Sequence, residues 1–403
     1  MRIEKAIIAT AAVLLVNAMP ALAAGVDIPA ADAPPVNVQL GVRYDSNVAA
    51  SNGAFATSRG LTREDEIFSP AVAVNYTKQL GSLGFFTQGT LGYDFYANND
   101  VLNRERIGVL AGVATQMSGC QLTPRVSYMR RQSDLQDLNV AVTKNTQEDV
   151  TVGMDVVCNG FGRLVPSASV QQTWATNSSG SLFSTDYQSF SANAGLGYQA
   201  GNLGTISLVG QYADTQYDNR FIPLLAALHR DGYKVYSGGL HYEKPIGATL
   251  EVGASVYQTS LSYDGLGLNF SGVTYDGTVT YHPDSRFDAT AHFGRQTSPS
   301  NFLNAAYSID QILSLDAHYR LTARLMAGLG VSNKLQKFQG ANLISATDLT
   351  KQSVTSFYGT LGFNVTSRMN LAFVARSTQR HADLAAYSYT DNQIGLTLSQ
   401  AFF

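Results

Sequence analysis

The chain has 403 residues, with 27 basic and 30 acidic side chains, a formal net charge of −3 and only 14% charged residues. This balance excludes a generic nucleic-acid-binding protein, which would carry a basic patch. The length suggests about two or three soluble domains. Against that, glycine (36), tyrosine (21) and phenylalanine (19) are abundant, and no linker divides the sequence.

The N-terminus predicts export from the cytoplasm. A short charged start, Met1–Lys5, precedes an apolar stretch, Ala6–Met19, that is too short to span a bilayer. The small residues of Ala21–Ala23 then supply an Ala-x-Ala cleavage site. We therefore predict a signal peptide at residues 1–23, followed by a short periplasmic N-terminal segment at residues 24–35.

From residue 36 onward the sequence repeats one pattern, in which apolar and polar side chains alternate. In "RIGVLAGVATQM", Ile107, Val109, Ala111 and Val113 share one face, while glycine, alanine and glutamine occupy the other. The pattern recurs at residues 186–199, 272–282 and 324–334. Strict alternation over such lengths is typical of β-strands with one apolar and one polar face.

The polar face indicates the fold class. It is rich in Gly, Ser, Thr, Asn and Gln, whereas aromatic residues lie towards the strand ends of the apolar face: Tyr44, Tyr93, Phe95, Tyr128, Trp174, Tyr198, Tyr281 and Tyr319. Two aromatic girdles around an apolar band are typical of outer-membrane barrels. Because lipid cannot satisfy backbone polar groups, such strands must close into a ring.

The predicted fold class is therefore all-β: a transmembrane antiparallel up-and-down β-barrel over residues 36–403. Eight short turns alternate with nine longer polar loops, which gives about eighteen strands, or sixteen if one loop has been divided wrongly. Both chain ends then lie on the short-turn, periplasmic side. The alternative, a secreted β-solenoid or sandwich array, lacks support because the sequence has no repeat of fixed period.

The two cysteines are expected to form a disulfide. Cys120 lies at the short turn before one predicted strand, and Cys158 ends the next strand. Because these strands form a hairpin, their near ends should be neighbours, and the periplasm is oxidising. The alternative is two unpaired buried thiols.

Charged residues with the parity of the polar face are candidates for the lumen lining. They are Arg43, Asp45, Asp94, Arg106, Arg125, Arg131, Asp155, Glu251, Asp276, Asp288, Asp310, Asp316, Arg324 and Arg376. Six are arginines and eight are acids, and such a mixed lining suits neutral or weakly charged solutes, including sugars, because strong selectivity uses charge of one sign. Alternatively, these charges only pair with each other and keep the wall rigid.

Three histidines, His282, His292 and His318, share the inward parity and suggest a catalytic or metal site as a further alternative. No Gly-x-Ser-x-Gly elbow, His-Glu-x-x-His motif or ligand spacing accompanies them. We therefore predict no enzyme, no cofactor and no metal, while an outer-membrane enzyme acting on lipid or polymer stays an alternative.

The loop near residues 218–232 is unusually apolar, with a run from Phe221 to Leu228 that suits a short helix after Pro223. It could fold into the barrel mouth as a plug, lie on the outer leaflet or contact another protein. We favour the inward position.

The start and the end of the predicted barrel, "GVRYDSNV" (residues 41–48) and "QIGLTLSQAFF" (residues 393–403), resemble a family of outer-membrane β-barrels often associated with exopolysaccharide biosynthesis and export. The resemblance implies a conduit for polysaccharide and carries no catalytic residues. It would place Arg43, Tyr44, Asp45 and Asn47 at the outer rim of the barrel. The closing aromatic strand resembles the signal read by barrel-assembly machinery. Phe402 would then join the lower girdle, and Phe403 would serve recognition or cap the seam with the first strand.

Our first functional expectation is therefore a polar channel in the outer membrane of a Gram-negative bacterium that takes part in exopolysaccharide export. Such a barrel cannot couple to an energy source, so export would need periplasmic or inner-membrane machinery as a partner, besides lipid and the assembly machinery. The alternatives are a diffusion porin for small polar solutes or sugars, and a structural or adhesive barrel acting through its loops.

Overall fold

The protein is described by a computed structural model that covers residues 36–132, 145–159, 161–179, 186–221, 230–263, 269–299, 307–339 and 349–402. The predicted signal peptide, the segment 24–35, Phe403 and the centre of the apolar loop, residues 222–229, lie outside these residues. No helix within the described part of the chain is long and apolar enough to cross a membrane.

Eighteen β-strands form the described structure. In chain order, β1 to β18 are Val36–Asp45, Asp65–Leu80, Leu83–Tyr96, Arg104–Met117, Cys120–Gln132, Thr146–Cys158, Leu164–Asn177, Tyr187–Gln199, Thr205–Phe221, Arg230–Ile246, Leu250–Tyr263, Phe270–Tyr281, Phe287–Pro299, Tyr307–Arg320, Leu325–Gln339, Lys351–Asn364, Met369–Ala382 and Tyr389–Phe402. One short helix, α1 (Gly53–Ser58), and the 3₁₀ turns Asp100–Leu102, Gly201–Leu203 and Ala385–Tyr387 lie in the connections.

The strands form one closed sheet. Each strand pairs antiparallel with its neighbours in sequence, and β1 also pairs with β18, from Val36 opposite Phe402 to Asp45 opposite Gln393. The ring therefore has no free edge, as a sheet surrounded by lipid requires. The predicted antiparallel up-and-down barrel is confirmed, with eighteen strands rather than sixteen.

The connections define two ends of the barrel. Eight short turns join the strands at one end, which also holds Val36 and Phe402, and nine longer loops join them at the other. We call these the turn end and the loop end. In the tightest turns the backbone enters the left-handed region at Gly81 and Gly247 (φ 63° and 64°), where a residue with a Cβ would be strained.

The two faces of the wall have opposite chemistry. Large apolar side chains are exposed on one face around the whole ring, for example Leu208, Leu329 (70% exposed) and Leu313 (61% exposed). Such exposure is favourable only against lipid, so this is the outer face. Trp174 near the loop end and Tyr281 near the turn end belong to the exposed aromatic residues of the same face.

Buried side chains of the inner face concentrate towards the loop end. One apolar cluster comprises Tyr217, Tyr233, Val235, Leu261, Tyr263 and Phe270. A second one packs Ala56 of α1 with Ala49, Leu61 and Leu102. The mouth of the barrel is therefore packed with side chains, whereas several inner charges near the turn end stay exposed.

Candidate functional site

The inner face of the barrel wall is the candidate functional surface. Thirteen of the fourteen charged residues proposed for the lumen lie in strands at positions that alternate with the exposed apolar ones, and so point inward. Arg324 is the exception. It lies in the exposed turn just before β15, because that strand begins at Leu325. Its carbonyl accepts a hydrogen bond of 2.8 Å from the Asn364 N–H, which continues the β15–β16 register, so Arg324 keeps its inward parity and stays a candidate for the lumen lining.

On the wall formed by β3–β6, inward charges pair across neighbouring strands. Arg106 Nε lies 2.9 Å from Asp94 Oδ2. Arg125 holds Asp155 with two hydrogen bonds, of 2.7 and 3.4 Å. Arg131 lies 3.9 Å from Asp149, which the sequence reasoning did not single out. We call this arc the paired wall.

The wall formed by β10–β13 carries acids that face the lumen and that pair with no arginine or lysine within the described residues. Glu243, Glu251, Asp276 and Asp288 are all exposed. Asp276, 54% exposed, lies 2.5 Å from His292 Nε2. No ion pair joins Glu243, Glu251 or Asp288 to a basic side chain within the described residues. We call this arc the acidic wall.

These two arcs face each other in part, because β3 and β4 are nine strands away from β12 and β13 in a ring of eighteen. Most inward arginines with described side chains belong to β17, β1, β4 and β5: Arg43, Arg104, Arg106, Arg125, Arg131, Arg376 and Arg380. On β10–β14, the inward basic side chains with described positions are histidines and Arg320 at the turn end. The lining contains both signs, and within the described residues most of its arginines lie away from the acidic wall.

A further group of inward side chains links the two arcs through β14–β17. Tyr358 donates a hydrogen bond to Asp316, and the Arg376 guanidinium lies 6.0 Å from the Tyr358 ring centroid. Lys334 lies 3.0 Å from Asp310, which is buried. Sequence reasoning missed Tyr358, Lys334 and Glu243, although the alternation within their strands gives each of them the inward parity.

The histidines do not assemble a catalytic or metal site. His282 follows the last residue of β12, and its N–H donates a hydrogen bond of 2.8 Å to the Thr249 carbonyl. His318 is opposite Asp288 in the register of β13 and β14. His241 Nδ1 and Ser255 Oγ are 2.9 Å apart, but no carboxylate contact to that imidazole completes a triad within the described residues. The described residues also contain no group of three or more metal-ligating side chains.

The predicted disulfide is confirmed. Cys120 and Cys158 are bonded, and they are direct cross-strand partners where β5 and β6 meet at the turn end. Their Cα atoms are 3.8 Å apart. The disulfide therefore joins two strands of the paired wall.

The first strand's Tyr-Asp-Ser-Asn sequence has a structural explanation at the loop end. Asp45 accepts hydrogen bonds from the Asn47 backbone (2.9 Å) and from Gln393 on β18 (2.9 Å). The Asn47 amide donates to the carbonyls of Ser51 (2.9 Å) and Thr390 (3.2 Å). Asp45 and Asn47 are both buried, so they hold the loop before α1 against the closing strand.

Comparison with known proteins reveals the fold alone. No protein-family profile matches the chain, and no curated protein is significantly similar to it in sequence. A BenF-like porin from Pseudomonas fluorescens Pf-5 superposes with a TM-score of 0.50 at 12% identity, over 92% of this chain and 99% of the porin. The FrpB iron transporter from Neisseria meningitidis gives 0.53 at 8% identity, over 87% of this chain and 63% of the transporter. OccK2 of Pseudomonas aeruginosa, in complex with glucuronate, gives 0.49 at 11% identity, over 92% and 99% of the two chains.

The chain has a closed eighteen-stranded β-barrel fold that is similar to the fold of outer-membrane porins, and its apolar outer face fits a membrane. Its structural neighbours include porins and a transporter, which are not enzymes. The resemblance to barrels of exopolysaccharide export has no support from any of these comparisons.

Proposed function

We propose that the protein is a passive channel that lets small polar solutes diffuse across the outer membrane, and that it passes cations more readily than anions. The observation that carries this proposal is the exposed acidic wall facing the lumen near the turn end. Charge of one sign along a pore raises the local concentration of the opposite ions.

The difference in pairing supports the preference for cations. On the paired wall, each of Arg106, Arg125 and Arg131 has an acidic partner, which neutralises its charge at short range. On the acidic wall, Glu243 and Glu251 are exposed towards the lumen and have no ion-pair partner within the described residues. The uncompensated field is therefore negative on one side of the lumen.

The separation of charge across the lumen also favours dipolar solutes. A molecule that carries a positive and a negative group can turn its positive end to the acidic wall and its negative end to Arg376 or Arg43. Such orientation lowers the barrier to entry without tight binding, and a channel must also release what it binds. Sugars and zwitterions of small size fit this description better than a long polymer.

Assembly of the barrel is expected to depend on the closing strand. Phe402 is the last residue of β18, points outward, is half-exposed and lies opposite Val36 at the seam. This position supports the prediction that its ring belongs to the girdle at the turn end and is offered to the assembly machinery.

The test is a measurement on the purified full-length protein in a planar lipid bilayer. Under a tenfold KCl gradient we expect open-channel current and a reversal potential on the cation-selective side. Liposomes containing the protein should swell in small sugars and zwitterions. Purified protein that carries no current would overturn the proposed diffusion channel. So would a deletion strain in which polymer secretion falls while solute uptake is unchanged, and this result would favour export.

A further inference from the structure

The seam between β12 and β13 differs from its neighbours, because pairing stops before the loop end. The ladder has seven residue pairs, from Tyr281 opposite Ala289 to Tyr275 opposite Arg295. The ladders on either side are longer, with twelve pairs between β11 and β12 and thirteen between β13 and β14. Residues 270–274 of β12 still pair with β11, and residues 296–299 of β13 still pair with β14, but these two segments do not pair with each other.

The parts of β13 and β14 nearest the loop end, residues 296–298 and 307–310, lie inside the wall formed by β11 and β12. By alternation Phe270 points inward, since it is opposite the buried Leu261, whereas Tyr307 shares the parity of the exposed Leu313 and points outward. Yet the Phe270 and Tyr307 ring centroids are only 5.9 Å apart. An inner-face ring can touch an outer-face ring only if one layer overlaps the other.

Burial at the overlap agrees with this geometry. Phe270 is 8% exposed and Leu261 is fully buried, and Ile309 of the outer face packs against the same cluster. Thr297 has outward parity but is only 6% exposed. We call residues 296–298 and 307–310 the inturned hairpin.

An arginine occupies the point where the seam opens. Arg295 Nη1 donates a hydrogen bond of 2.6 Å to the carbonyl oxygen of Val273. If the register of the ladder continued, Thr297 would lie opposite Val273 and Gln296 opposite Thr274. The guanidinium therefore binds a backbone carbonyl at the place where the ladder stops.

We propose that the inturned hairpin is the gate of the channel, with Arg295 as its latch. In the closed state the hairpin fills part of the mouth, held by Phe270, Tyr307 and Ile309. In the open state Thr297 replaces the guanidinium opposite Val273, the ladder extends to Ser298, and the hairpin joins the wall. Pro299 lacks an N–H donor and limits the extension. The closed state has the apolar contact and the open state has the additional backbone hydrogen bonds. Because these two contributions to the free energy are of similar size, both states can be populated.

This gate rests on the proposed channel function and is tested by engineered disulfides in the full-length protein in planar bilayers. The pair Val273→Cys/Thr297→Cys should cross-link in the open state and raise the mean conductance about twofold, reversibly on reduction. The pair Phe270→Cys/Tyr307→Cys should hold the hairpin inward and abolish opening transitions. The matched control is Lys234→Cys/Ser262→Cys, an outward pair on the complete β10–β11 ladder, which should cross-link without changing conductance.

A second variant does not depend on cross-linking. Arg295→Gln should raise the open fraction about threefold, because the latch is lost, whereas Arg286→Gln in an exposed turn should not. Two results with folded Val273→Cys/Thr297→Cys protein would overturn the gate. The first is that this pair forms no cross-link while the control pair does. The second is that the cross-linked protein conducts as before. Wild-type protein treated with reductant controls for the native Cys120–Cys158 bond. If the wild-type protein carries no current at all, the proposed channel function is wrong. If it carries current that the cross-links do not change, only the gate is wrong.

Discussion

The paired wall and the acidic wall of the lumen show how one repeated strand pattern serves two purposes. The paired wall on β3–β6 joins arginines to acids across neighbouring strands and carries the disulfide. The acidic wall on β10–β13 leaves Glu243, Glu251 and Asp288 exposed and without ion-pair partners within the described residues. We infer that the first wall contributes mainly stability and the second mainly selectivity.

The largest expected effect follows from neutralising the acidic wall. In the triple variant Glu243→Gln/Glu251→Gln/Asp288→Asn, the cation preference should disappear, with the permeability ratio falling about threefold or more, because the unpaired field is removed. Reversal potentials under a KCl gradient measure this. Folding should be nearly unchanged, since exposed carboxylates contribute little to stability.

The matched control removes one negative charge from the outer face. Glu148 points outward on β6 and lies 3.4 Å from Arg130. Glu148→Gln should leave the reversal potential at the wild-type value. A triple variant that keeps the wild-type selectivity would place the selectivity elsewhere in the lumen.

Removing the disulfide should give the next largest effect, but this effect is on stability and not on selectivity. Cys120→Ser/Cys158→Ser should lower the stability against unfolding by about 2 kcal/mol while leaving the selectivity unchanged. The serines keep the small polar character of the turn end. Thermal unfolding followed by gel mobility and circular dichroism measures the loss, and a shifted reversal potential in this variant would contradict the division between the walls.

The fold was largely predictable because each inference used a local pattern. Strict alternation identified strands such as β4, and the short turns gave the strand count and brought Cys120 next to Cys158. Parity also assigned an inward face to Asp276 and Arg125. These properties depend on neighbours in the sequence or in a hairpin, which the chain order specifies directly.

The arrangement of charges around the lumen could not be predicted without knowing how the strands close into a ring. Parity shows which charges point inward, but which strands face each other across the lumen, such as β3 and β12, depends on the strand number and on closure of the ring. The overlap of Phe270 with Tyr307 could not be read from alternation at all, because alternation predicts opposite faces for the two rings. Arg324 lies one residue before β15, and alternation alone does not show at which residue a strand begins.

The smallest effect tests a single pair on the paired wall. Arg125 and Asp155 are 22% and 20% exposed, and two hydrogen bonds join them. Asp155→Asn keeps one acceptor but removes the negative charge, so it should cost about 1 kcal/mol of stability and leave the guanidinium uncompensated. Cation selectivity should then fall slightly, far less than in the triple variant. The double variant Arg125→Gln/Asp155→Asn should restore the selectivity, because it removes both charges. If the single variant altered selectivity as strongly as the triple one, the paired wall would also control permeation and the two walls would not differ in role.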